Sequence, residues 1–162
     1  MAFTFRPVAD GDARVVVDIF NHYVENSFAA YPEKKMTYGE FDLLKEYAVD
    51  YPFYVVEKEG KVIGFGMLRP HLKKDTTKRA ADVIYYILPE FTGWGIGSDL
   101  LARLVGDAKA RGIDTLLASI SSENEGSISF HKRHGFEEAG RFRRVGRKFG
   151  KDFDIVWMQR FV

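Results

Sequence analysis

Cysteine is absent from this chain of 162 residues. Its absence excludes disulfide staples, thiolate metal ligands and a thiolate nucleophile. It fits a reducing compartment, and a cytoplasmic location is expected. An excess of one charge is lacking too. Lys and Arg total 24 against 23 Asp and Glu, a formal net charge of +1. That balance gives no reason to expect a nucleic-acid partner. No apolar run approaches the roughly 20 residues that span a bilayer, so no membrane span is expected. The opening Met1-Ala2-Phe3-Thr4-Phe5-Arg6 lacks the charged head and apolar stretch of a secretory leader. Internal repeats, low-complexity tracts and linkers are missing as well. What is present suffices for a packed core: 46% of residues are apolar and 15% aromatic. The length suits one domain, residues 1–162.

Hydrophobic spacing lays out the elements. Phe3 to Val8 reads as a strand. Asp10 or Asp12 is placed to cap a helix carrying Val15, Val16, Ile19, Phe20 and Tyr23. Thr37 and Glu40 form a capping-box pattern that opens a second helix with Phe41, Leu44, Tyr47 and Ala48. Phe53–Glu57 and Lys61–Arg69 read as strands joined by a tight hairpin at Glu59-Gly60. Ala80–Leu88 is the next strand. A helix with Ile96, Leu100, Leu101, Leu104, Val105 and Ala108 on one face then ends at Gly112. Thr115–Ile120 is a strand, and Ser122 with Glu125 suggests a capping box for a helix ending at Gly135. Phe136–Arg147 and Asp152–Phe161 form a last antiparallel pair. This order argues an α/β sandwich around one central sheet, with helices on both faces.

Between the fourth strand and the third helix lies Thr92-Gly93-Trp94-Gly95-Ile96-Gly97-Ser98. Strand, glycine loop and helix start make an anion site, because successive N–H groups and the helix dipole converge there. The expected guest is a phosphate or pyrophosphate. The loop is not a nucleotide P-loop, since no Lys-Ser/Thr pair closes it, and its glycine spacing differs from the dinucleotide fingerprint.

Downstream stands Asn124-Glu125-Gly126-Ser127-Ile128-Ser129-Phe130-His131-Lys132-Arg133-His134-Gly135-Phe136. At this point the chain resembles the GNAT acetyltransferases. Their pyrophosphate loop, Gln/Arg-x-x-Gly-x-Gly/Ala, falls on Thr92–Gly97. Their later helix pattern falls on Asn124, Ser127, Phe130-His131 and Gly135-Phe136. Within that superfamily the chain is similar to the phosphinothricin and methionine sulfone/sulfoximine N-acetyltransferases. Ile19-Phe20-Asn21, Val24-Glu25-Asn26-Ser27, His131 in place of the usual Tyr, and Val145–Gly150 with Asp154 carry that finer likeness. It covers essentially the whole chain. Two places depart: Thr92 replaces Gln or Arg, and Arg69-Pro70-His71-Leu72-Lys73-Lys74-Asp75 does not read like the relatives' segment.

The resemblance implies a mixed, mostly antiparallel central sheet, acetyl-CoA as co-substrate, a small-molecule amine acceptor and a homodimer. The reaction would be direct attack in a ternary complex. Such chemistry needs a base, a polarised carbonyl, an acid or donor for the leaving thiolate, and orientation of both substrates. Asp82 falls where the relatives carry a catalytic Glu; otherwise it is a strand-end charge in water. His131 falls where the thiolate acid stands; otherwise it is an ordinary helix histidine. His134 lies one turn on, but no third ligand accompanies the pair, so no metal is expected. Main-chain groups of Tyr86, Ile87 and Leu88 would pair with pantetheine as an added strand does, and an N–H near Ile87 would face the oxyanion. Thr92, Gly93, Trp94, Gly95, Ile96, Gly97 and Ser98 would hold the pyrophosphate. Asn124 orients the pantetheine, caps the helix, or both, with Ser127 beside it. Phe28, Tyr31, Arg69 and Tyr85 are substrate-pocket candidates or aromatic core. Arg141, Arg143, Arg144, Arg147 and Lys148 read as solvated strand faces, one or two of them able to neutralise a cofactor phosphate. The alternatives are an acyl-CoA-binding module without catalysis, which would need neither Asp82 nor His131, and an enzyme whose acceptor is a protein amine.

Overall fold

Strand β1 (Thr4–Pro7) pairs with β2 (Phe53–Lys58), and β2 with β3 (Lys61–Pro70), in a computed structural model that describes residues 2–162. The β2–β3 hairpin turns at Glu59 and Gly60, with φ of 51° and 77°. Two left-handed residues in succession give the turn whose twist matches paired strands. β4 (Ala80–Ile87), β5 (Thr115–Ser121), β6 (Glu137–Lys148) and β7 (Lys151–Phe161) complete a seven-stranded sheet of order β1-β2-β3-β4-β5-β7-β6. Every neighbouring pair is antiparallel except β4–β5. The mixed, mostly antiparallel sheet expected from the sequence is present.

Helices cover both faces. α1 (Ala13–Asn26) and α2 (Phe41–Tyr47) pack on one side, where Val16, Phe41, Val55, Phe65 and Met67 share a core. α3 (Ile96–Ala110) packs on the other with Leu68, Val83, Leu116 and Met158. Met67 and Leu68 are adjacent yet enter opposite cores, as strand alternation requires. Every α3 residue assigned to the apolar face is buried. Full burial of one such leucine contributes about 1.5–3 kcal/mol, so α3 is firmly seated. α4 (Glu125–Arg133) is shorter and adds Ile128 and Phe130 to the same side.

Helix starts differ from expectation. Asp12 stands at the N-cap position of α1, but its side chain makes no capping bond to the helix. The Asp12 carboxylate instead takes both terminal nitrogens of Arg6, each at 2.8 Å, and the Ala9 amide. Those partners hold its pKa below the ordinary value, Arg6 foremost. Glu40 does accept the Thr37 amide at 2.6 Å, but the segment begins as a single 3₁₀ turn and α2 starts only at Phe41. Ser122 does not cap α4. Its hydroxyl accepts the Asp154 amide across the sheet, and Asn124 is the cap.

The feature that positions a site is a short ladder. β4 pairs with β5 only from Ala80–Asp82 to Thr115–Leu117. Beyond Asp82, β4 stays with β3 as far as Ile87, and β5 stays with β7 as far as Ser121. The two parallel strands therefore splay and leave a wedge between them.

Candidate active site

At the far end of β4 the chain makes one 3₁₀ turn, Pro89–Phe91, and enters the glycine loop. Gly93 and Gly95 have φ of 80° and 85°. Left-handed backbone there favours glycine. A Cβ at either position would meet nothing within 4 Å, so the space over the loop is open. The first helical bond of α3 runs from Asp99 N–H to the Gly95 carbonyl. The N–H groups of Ile96, Gly97 and Ser98 thus have no helical acceptor. Open space, free amides and a helix N-terminus fit a pyrophosphate. Gly97 also faces α4. A Cβ on it would lie in ordinary contact with the Phe130 ring, 3.4 Å away. Thr92 donates its hydroxyl back to the Pro89 carbonyl at 2.7 Å, and Ser98 Oγ lies 2.9 Å from His134 Nε2. Neither hydroxyl is directed at an anion. Trp94 is exposed, edge-on to Phe91.

Along the wedge, main-chain polarity follows from register. Leu88 N–H donates to the Ile63 carbonyl at 2.9 Å. Alternation then turns Tyr86 toward β3 as well, and turns the N–H groups of Tyr85 and Ile87 away from it, into the wedge. Of the expected main-chain set, Tyr86 and Leu88 are corrected out: Tyr86 faces β3, and Leu88 gives its N–H to Ile63 and its carbonyl to the Phe91 amide. Ile87 stays, and Tyr85 joins it. The Ile87 carbonyl accepts the hydroxyl of Tyr23.

His131 lies beneath Tyr85. It is 3% exposed. Its Nδ1 lies 2.7 Å from the Ser127 carbonyl, which can only accept, so Nδ1 carries the hydrogen. Nε2 then accepts the Tyr85 hydroxyl, and the two rings stack at 5.6 Å. Burial pushes the imidazole down to about 4, so it is neutral at physiological pH. Burial also raises the Tyr85 phenol. His131 therefore reaches the wedge through Tyr85 rather than directly. Asn124 Oδ1 accepts the Ser127 amide at 3.2 Å, so the capping role is occupied.

On the α1 face, Asp82 sits at the throat of the wedge, 7% exposed. Arg69 stands opposite it in register, with Nε 3.4 Å from Oδ2. Among the described residues the terminal nitrogens of Arg69 meet no protein acceptor. Phe28 and Tyr31 are in the segment after α1. Phe28 packs edge-on to Phe149 and Phe153, and Tyr31 stacks on Phe153 and bonds Ser119 Oγ at 2.7 Å. Tyr86 donates to the Ala29 carbonyl, and Lys148 donates to Ser27 and Ala30 at 2.7 and 2.6 Å. Lys148 is fully buried and its pKa is lowered by that burial. It is a clamp for the segment, not part of a solvated face. Arg141, Arg144 and Arg147 are paired with Glu138, Asp154 and Asp152, as solvated strand faces should be. A hollow of about 360 Å³ between Lys45, Phe53 and Arg111 is lined by none of the site residues.

A model of the acetyltransferase (GNAT) family matches residues 16–136, three quarters of the chain. The chain belongs to the GNAT acetyltransferase family. A GNAT relative, phosphinothricin N-acetyltransferase of Streptomyces coelicolor, is 30% identical over 160 residues, covering 96% of this chain and 94% of its own. The L-methionine sulfoximine/L-methionine sulfone acetyltransferase of Salmonella typhimurium is 29% identical, covering 96% and 92%. The crystal structure of a GNAT superfamily phosphinothricin acetyltransferase from Sinorhizobium meliloti in complex with acetyl-CoA superposes with a TM-score of 0.94 at 31% identity, over 100% of this chain and 89% of that one. This GNAT protein is thus an N-acetyltransferase. Two of its residues escaped sequence reasoning. His71 bonds Asp82 at 2.7 Å, and Lys148 clamps the Ser27–Ala30 segment. The β3–β4 register sets Arg69 against Asp82, and His71 lies two residues beyond Arg69, past the end of β3.

Proposed function

We propose that this enzyme transfers the acetyl group of acetyl-CoA to the primary amine of an amino-acid-like small molecule, in a ternary complex without an acetyl-enzyme. The observation that carries the reading is the wedge. It has an open glycine loop at one end and a buried carboxylate beside an arginine fork at its throat. The printed names of the relatives supply the acceptor class, phosphinothricin and methionine sulfone or sulfoximine.

The amides of the Gly93–Ser98 loop hold the pyrophosphate. Ile87 N–H, turned into the wedge, meets the thioester oxygen as it gains charge. The Tyr85 hydroxyl, which rests on the Nε2 lone pair of neutral His131, turns from it to give the leaving thiolate a hydrogen bond. Asp82 governs removal of the amine proton. The terminal nitrogens of Arg69 take the acceptor carboxylate in bidentate fashion, with Phe28 and Tyr31 as walls. The enzyme works in the cytoplasm as a homodimer. Presenting acetyl-CoA with a panel of amines and following free thiol tests the reading. Turnover of phosphinothricin or methionine sulfone is the expected result. Thiol release with none of the amino-acid-like amines would reject the acceptor class.

A further inference from the structure

Asp82 is poorly placed to take the amine proton itself. Its side chain is only 10% exposed, with Oδ1 bonded to His71 at 2.7 Å and Oδ2 facing Arg69 at 3.4 Å. Both oxygens are engaged, and little surface is left for an amine. His71 is the reverse case. Asp82 accepts, so Nδ1 of His71 carries the hydrogen and the Nε2 lone pair is free. Among the described residues Nε2 meets no partner, and the side chain is 31% exposed. The ring is braced a second time, edge-on to Trp157 with centroids 5.3 Å apart.

Topology puts that ring at the wedge. Asp82 pairs with Leu117, the last rung between β4 and β5. Trp157 pairs with Ser119, two residues further along β5, and Ser119 bonds Tyr31. An imidazole reaching from Asp82 to Trp157 therefore crosses β5 where the strands part. The charged groups near it are few. Asp82 comes from β4 and Arg69 from β3. β7 contributes neutral Trp157. From α2 comes Tyr47, over which Arg69 and Lys73 both stand.

We propose that His71 is the general base of the acetyl transfer and that Asp82 is its positioning residue. The arrangement has the logic of a histidine held by a buried carboxylate, which fixes the tautomer and steadies the imidazolium. Nε2 takes one proton from the acceptor ammonium. The freed lone pair forms the C–N bond to the thioester carbon while the carbonyl electrons move to oxygen. Reforming the carbonyl breaks the C–S bond, and the departing thiolate gains the second nitrogen-bound proton. The imidazolium releases its proton to water from its exposed edge. The proposal rests on the acetyl-transfer reading but not on which amine is used.

The test is kcat/KM against pH for wild type, His71→Asn, His71→Ala and Asp82→Asn, on any amine the wild type acetylates. His71→Asn keeps a side-chain N–H for Asp82 and removes only Nε2. It should lose about 10²–10⁴-fold, the usual range for a positioned base, together with the acidic limb of the profile. Its acetyl-CoA affinity and thermal midpoint should stay at wild-type values. Added imidazole should restore part of the His71→Ala activity. Wild-type kcat/KM and an unchanged acidic limb in His71→Asn would overturn the proposal. So would loss of the limb in Asp82→Asn alone, which would make Asp82 the base. If His71→Asn is destabilised, the rescue decides, and no response to imidazole counts against His71. A wild type that acetylates only amines unlike amino acids rejects the acceptor class, while the ratio of His71→Asn to wild type still judges His71.

Discussion

Protonating His131 should destabilise the protein from within. In the folded chain burial pushes this imidazole down to about 4, against an ordinary 6.5. At about 1.36 kcal/mol per pKa unit, the difference is worth about 3 kcal/mol. The sign follows from proton binding. Between pH 6.5 and 4 the unfolded chain takes a proton that the folded chain refuses, so stability falls as pH falls. It is complete above pH 6.5 and lost progressively down to about pH 4. Asp12, Asp114 and Asp154 are also held low in the fold, by arginine partners and a main-chain amide. Their losses begin near and below pH 4, and a variant at position 131 shares them. Urea unfolding followed by tryptophan fluorescence at pH 7.5, 6.5, 5.5 and 4.5 measures the effect. Wild type should lose about 3 kcal/mol over that span beyond whatever His131→Gln loses. Parallel curves for the two proteins would refute the buried, neutral imidazole.

Three further outcomes follow from the same geometry. Gly95→Val forces a β-branched residue to φ 85° and should weaken acetyl-CoA about tenfold or more by calorimetry, whereas Thr92→Ala should bind normally; equal affinities in all three proteins would remove the loop from the site. Arg69→Ala should cost about 1.5–3 kcal/mol of transition-state binding for acceptors bearing a carboxylate, the worth of a charge-assisted bond, and far less for simple amines. Equal losses in steady-state kinetics would leave Arg69 only its packing on Tyr47 and Asp82. Phe142 and Val145 lie 59% and 56% exposed on the edge strand β6, so light scattering should give a dimer mass, with Phe142→Glu and Val145→Glu shifting it to monomer; a wild-type monomer at micromolar concentration would contradict the assembly.

What the sequence made legible is what local physics decides. The α3 face followed from helical spacing, and the Glu59-Gly60 turn from its residue pair. The glycine loop was found because strand, glycines and helix follow one another along the chain. Misreadings came where a polar group, of side chain or main chain, had rival partners. Asp12 had Arg6, Ser122 had Asp154, and Leu88 had Ile63. A capping pattern names a capable residue but not the competitor that claims it. Long-range contacts were out of reach. Lys148 reads as one more cation in a basic run, and only folding reveals that it reaches Ala30, 118 residues earlier. Burial of the C-terminal aromatics was likewise out of reach: Phe153 is core, while Phe149 and Phe161 are exposed. His71 was hidden in the very segment that departs from the relatives' pattern.

The most direct test of the central claim is a comparison of acceptors at saturating acetyl-CoA. Methionine sulfone and a short alanine-terminated peptide are each titrated as the amine, with free thiol as the common readout and the acetylated product identified by mass. The wedge and the Arg69 fork predict a higher kcat/KM for methionine sulfone, with the acetyl group on its α-amine. A higher kcat/KM for the peptide would contradict a small-molecule acceptor and make this enzyme an acetyltransferase of protein amines.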